Sequence, residues 1–191
     1  MPHPLTHSRR LTRPINALRS GLGGLLLPVL LLSAGTLRAE TVAPSPLTGL
    51  ELVGQARLQV LFWKVFDAEL YSPSGTWRGA PPYALSLTYL RNLSGERIAE
   101  RSVREIREQG FTDELTLARW YELLRNLIPD VGANDEIIGV AQSSGATHFY
   151  LNGKLIGGIA EPEFTERFFA IWLGERTSQP DMRVALIGGR P

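Results

Sequence analysis

The last third of the chain constrains the fold more than any other stretch, because it reads as a β-hairpin that feeds two helices. Asn152-Gly153 stands between an alternating run at residues 147–151 and an apolar run at residues 154–159. That pair suits a type I′ turn, in which both central residues need positive φ. Pro162 then opens a helix whose Phe164, Phe168, Ile171 and Trp172 fall at i, i+4, i+7 and i+8, with Gly174 as its stop. Ser178 and Asp181 have the spacing of a capping box for a second helix, ended by Gly188-Gly189.

The N-terminus belongs to a different category. Arg9, Arg10, Arg13 and Arg19 form a basic region, residues 22–32 are Leu-rich, and Ala39 ends a run of small residues. This order predicts a signal peptide over residues 1–39 and a periplasmic or secreted product. The apolar run is too short to favour a membrane span. Ser8-Arg9-Arg10 resembles a twin-arginine signal, but Thr12 displaces the apolar residue that should follow, so the ordinary secretory route is favoured.

Cleavage after Ala39 leaves 152 of the 191 residues, enough for one domain with a substantial core. It also removes five arginines and no acid, so the net charge moves from +1 to −4. The basic balance therefore belongs to the signal, and a nucleic-acid surface is not expected. With no cysteine, thiol catalysis, iron–sulfur clusters and Cys-type zinc sites are excluded. His148 alone remains after cleavage, too little for a histidine metal site, and no serine sits in a nucleophile-elbow sequence. No metal and no cofactor are expected.

Residues 40–49, rich in Pro, Ser and Ala, predict a short extended leader, with a single domain over residues 50–191. From residue 50 to 71 the dense apolar and aromatic content predicts two strands or one bent strand, buried partly on both faces. Residues 83–90 return as a strand. Ser94 caps a helix to about Gln109, in which many charges leave a narrow apolar edge of Ile98, Val103 and Ile106, and the charge run reads as a solvated face. Gly110 stops it and Thr112 is placed to cap the next helix, where Leu117, Trp120, Tyr121, Leu124, Leu127 and Ile128 make the strongest helical period in the chain. Residues 136–142 and the Asn-Gly hairpin add three antiparallel strands.

The order of strands, two helices, three strands and two helices is that of an α+β fold with helices on one face of a mainly antiparallel sheet. The segments FWKVFDAELY, TYLRNLSGERIAE and FFAIWLGERTSQPDMRVALIG, with the hairpin-helix-helix ending, resemble the bacterial chalcone isomerase-like family over nearly the whole mature chain. The resemblance implies a chalcone isomerase-like open-faced β-sandwich, a large antiparallel sheet covered by a layer of helices, with a ligand cleft between them.

Plant chalcone isomerases close a flavanone ring without a cofactor, using an arginine with hydroxyl and amide donors to hold the developing oxyanion. Matching the family's segments places Phe66 and Ile171 where hydroxyl-bearing residues are expected, and Arg101 and Glu108 near the catalytic tyrosine and asparagine. A phenyl ring and an alkyl chain donate no hydrogen bond, so no catalytic residue is assigned and chalcone cyclisation is not expected.

The favoured reading is a non-catalytic binder of a small apolar anion such as a fatty acid. The alternative is a cofactor-free isomerase or intramolecular lyase on an unknown substrate, and a protein-docking role stays open. Arg57, which follows Gly54-Gln55-Ala56 in a family-like spacing, is the expected anionic anchor, against the bland reading of an outward-facing strand arginine. Phe66, Tyr89, Arg91, Trp120 and Ile171 complete the expected ligand-binding set. For Arg91 a strand-end fastening role competes with ligand contact, and for Tyr89 and Trp120 plain core does.

Overall fold

A computed structural model describes residues 44–189. The expected signal peptide and its cleavage point lie outside those residues. Six strands form one antiparallel sheet in chain order: β1 (Glu51–Val60), β2 (Trp63–Ser72), β3 (Tyr83–Tyr89), β4 (Glu136–Ala141), β5 (Thr147–Leu151) and β6 (Lys154–Ile159). Helices α1 (Gly95–Glu108) and α2 (Glu114–Leu127) are inserted between β3 and β4, and α3 (Pro162–Leu173) and α4 (Pro180–Leu186) follow β6.

Alternation along the strands decides what the helices cover. Phe66, Ala68 and Leu70 of β2 share a face with Leu85, Leu87 and Tyr89 of β3, and these residues join helical side chains such as Ile106, Leu124 and Phe168 in the main core. Among the described residues the opposite face is open except for a small cluster of Ala84, Ile138 and Val140, against which Leu47, Leu50, Tyr71 and Tyr150 pack. Helices on one face of the sheet are what the order of elements predicts, and the open face is what the resemblance implies.

The hairpin turn forms as its residues require, with Asn152 at φ 49° and Gly153 at φ 79°. Helix α4 lies so close to β1 that a Cβ on Gly54 would stand 2.2 Å from the Ala185 carbonyl oxygen, which ties that edge of the helical layer to the sheet.

Four local expectations are corrected. Asp113, not Thr112, caps α2, its Oδ1 accepting from the Leu115 and Thr116 amides at 3.1 and 3.3 Å. Ser178 caps nothing: α4 begins two residues later, and the Ser178 hydroxyl is used elsewhere. Within the expected extended leader, residues 46–49 form turns, with Thr48 N donating to Ser45 O and Leu50 N to Leu47 O. Strand β1, expected to be partly buried on both faces, is an edge strand that is mostly exposed, because its outer edge has no strand neighbour among the described residues.

Candidate functional site

Between the covered face of the sheet and helices α1 and α3 lies a cavity of about 710 Å³. Its floor follows from strand register. Leu58, Phe66 and Tyr89 stand side by side on β1, β2 and β3, and the Phe66 and Tyr89 rings meet edge to face at 6.0 Å. Leu87, Ile137 and Phe149 continue the apolar wall, and Phe168 and Ile171 of α3 close it from above.

The polar part of the lining comes chiefly from α1. Arg97, Arg101 and Arg104 fall at i, i+4 and i+7 and line the cavity with Ser102 and Glu105; Glu100 is the other acid there. Glu105 is 3% exposed. Its Oε1 accepts from the Arg101 guanidinium and, at 3.0 Å, from the Ser178 hydroxyl, while its Oε2 is buried with no partner among the described residues. Burial pushes the Tyr89 phenol up from its ordinary range, so it stays a neutral donor at physiological pH.

The site therefore combines an apolar body with a cationic, hydrogen-bonding mouth. It can hold a hydrocarbon chain or aromatic body and meet a polar head group with guanidinium donors, and Glu105 offers a buried acceptor to a ligand hydroxyl. Among the described residues no three His, Cys, Asp or Glu side chains gather as a metal site would require.

Of the six residues expected to bind ligand, the structure brings Phe66, Tyr89 and Ile171 to the cavity. Arg57 is not there. It pairs across the β1–β2 ladder with Asp67, Nε to Oδ1 at 2.5 Å and Nη2 to Oδ2 at 2.8 Å, on the open face of the sheet. Its strand parity is opposite to that of Leu58, so its side chain faces away from the helices. The Arg57 guanidinium in turn holds the Asp67 carboxyl below the usual range.

Arg91 lies outside the cavity as well, its guanidinium 4.8 Å from the centre of the Trp63 ring. Trp120 is core: it stacks on Phe111 at 4.9 Å, meets Phe164 edge to face at 5.6 Å, and donates from Nε1 to Glu161 Oε2 at 2.9 Å. The Arg119 guanidinium, with that indole N–H, holds the Glu161 carboxyl below its ordinary range.

Glu105, Arg97 and Arg104 are cavity residues that sequence reasoning missed, because the charge run of α1 reads as a solvated face. The signal was present: Ile98, Ser102 and Glu105 fall at i, i+4 and i+7, which turns Glu105 toward the sheet.

A family model described as chalcone isomerase-like matches residues 39–188. The chain belongs to the chalcone isomerase-like family. Among solved structures, this chalcone isomerase-like protein is similar to a fatty-acid binding protein of Arabidopsis thaliana, with 11% sequence identity and a TM-score of 0.57. The match covers 73% of this chain and 87% of the other. At that identity the likeness shows the fold. No curated protein matches by sequence.

Proposed function

We propose that this chalcone isomerase-like protein is an exported, non-catalytic binder of a single-chain amphiphile such as a fatty acid. The observation that carries this reading is the cavity: its volume of about 710 Å³ is in the range of small-molecule sites, roughly 300–1,000 Å³, and its polar groups are concentrated on one helix. The hydrocarbon chain lies against Phe66, Tyr89, Phe168 and Ile171. Because Arg101 is held by Glu105, the carboxylate is received by Arg97 and Arg104, which make no ion pair among the described residues. The fatty-acid binding relative supports the reading through its shared fold.

Catalysis of the chalcone isomerase type is disfavoured because Phe66 and Ile171, which stand where the resemblance expects hydroxyl-bearing residues, offer no hydrogen-bond donor to an oxyanion, and of the sheet residues beside them Tyr89 alone carries a phenol. Export rests on the order of basic, Leu-rich and small residues before Glu40. Intact mass of the envelope-fraction protein should start at or near Glu40, and a mass that includes Met1 contradicts export by cleavage.

Calorimetric titration with dodecanoic acid tests the ligand reading. Saturable one-to-one binding is expected, weakened about tenfold or more in an Arg97→Ala/Arg104→Ala variant, because each charge-assisted hydrogen bond is worth about 1.5–3 kcal/mol before solvent screening. Arg57→Ala is the control, with affinity within about twofold of the unmodified protein, since Arg57 lies on the other face of the sheet. Loss of binding on Arg57→Ala with none on the double substitution would reverse the assignment of the anchor.

A further inference from the structure

The tip of the β1–β2 hairpin is built against the ordinary rules for turns. Leu61 and Phe62 form the two-residue turn between paired Val60 and Trp63, with Leu61 in the left-handed region at φ 55°. A β-branched or bulky residue is poorly suited to that conformation, and hairpins normally place Asn, Asp or Gly there. The same chain does so at Asn152-Gly153. At the Leu61-Phe62 turn it instead presents four consecutive apolar residues to solvent: Val60 is 52% exposed, Leu61 80%, Phe62 93% and Trp63 62%.

Such a projection needs an apolar phase to receive it. Its shape argues against a protein partner, since a stable protein interface takes roughly 800 Å² from each side and a convex tip of four residues offers much less. Its chemistry is that of a bilayer interface, with aliphatic and phenyl groups at the apex and a tryptophan at the shoulder.

Charge agrees with this partner. No acidic residue occurs between residues 52 and 66, Lys64 follows the tip directly, and the Arg91 guanidinium lies over the Trp63 ring. Cations at that level match anionic lipid head groups. The tip is also continuous with the cavity, because its own Val60 and the flanking Leu58 and Val65 line that space.

We propose that the Val60-Leu61-Phe62-Trp63 tip inserts into the interfacial layer of an anionic lipid bilayer and sets the mouth of the cavity against it. The insertion does not depend on which ligand the cavity holds, and it gives a single-chain lipid a path between bilayer and protein that avoids water.

Phosphatidylcholine vesicles with and without phosphatidylglycerol, pelleted with the processed protein or its Leu61→Ser/Phe62→Ser variant, test the proposal. Both proteins are used in the processed form that begins near Glu40, which keeps every described residue and lacks the basic, Leu-rich segment that would itself bind an anionic bilayer, so pelleting reports on the tip. The unmodified protein should pellet with the phosphatidylglycerol vesicles and show a blue-shifted emission that a Trp63→Phe variant lacks. The double serine variant, folded by circular dichroism because the altered residues are exposed, should bind at least about thirtyfold more weakly, and raised salt should weaken the unmodified protein too. Equal pelleting of both proteins, no blue shift from Trp63, or self-association through the tip in analytical ultracentrifugation without vesicle binding overturns it.

Discussion

Truncation of Trp120 to alanine is expected to destabilise the protein by about 3–5 kcal/mol, against a total stability of roughly 5–15 kcal/mol for a domain of this kind. The indole is fully buried between Phe111 and Phe164, joining α2 to α3, and its removal leaves a cavity that those rings cannot close without moving. Loss of its N–H is a smaller part of the effect, because Glu161 keeps Arg119 as a partner and is partly exposed. Trp120→Phe should therefore cost about 1–2 kcal/mol, most of the packing being retained. Urea denaturation separates the two variants. A Trp120→Ala midpoint close to that of the unmodified protein would mean that the α2–α3 contact is not part of the core.

Substitution of Ile171 by tryptophan is expected to lower fatty-acid affinity by more than about a hundredfold while the fold persists. Ile171 projects from α3 into the cavity, and an indole there takes the space that an alkyl chain needs, while bound ligands of this class bury most of their surface. The added bulk enters open space, so the cost to stability should stay within the roughly 1–3 kcal/mol typical of overpacking. Calorimetry with dodecanoic acid and a thermal melt report the two effects separately. Affinity within about threefold of the unmodified protein, in a folded variant, would move the ligand out of this cavity.

The residues that carried the fold in the sequence are those whose local chemistry allows few alternatives. Asn152-Gly153 fixed one hairpin, Pro162 and Gly174 bounded α3, and the period from Leu117 to Ile128 defined α2. The site was harder to read because it depends on which face each side chain takes. Arg57 lies between two register shifts, at Leu52/Gly54 and Leu58/Gln59, so its face is not set by simple alternation from either end of β1. The Leu61-Phe62 turn carries no turn-forming residue, and its apolar pair reads as more strand. Trp120 satisfies helical periodicity equally well as core or as cleft wall, and only the packing of α2 decides between them: Leu124 and Ile128 line the cavity while Trp120 is turned into the core against Phe111 and Phe164.

Glu105 and Ser178 show a different limit. Their hydrogen bond joins residues 73 positions apart, and no local pattern announces it. Ser178-Gln179-Pro180-Asp181 has the spacing of a capping box, yet α4 starts at Pro180 with Gln179 as its N-cap, so Ser178 lies one residue too early to cap and its hydroxyl donates to the Glu105 Oε1 that Arg101 also meets.

Native mass spectrometry of the protein purified without detergent tests the central claim most directly, because it weighs whatever the cavity holds. The unmodified chain should carry one single-chain lipid, or take up one equivalent of dodecanoic acid when supplied, and Ile171→Trp should do neither. An unmodified protein that stays empty at saturating dodecanoic acid, or an Ile171→Trp variant that loads as fully, would contradict the account.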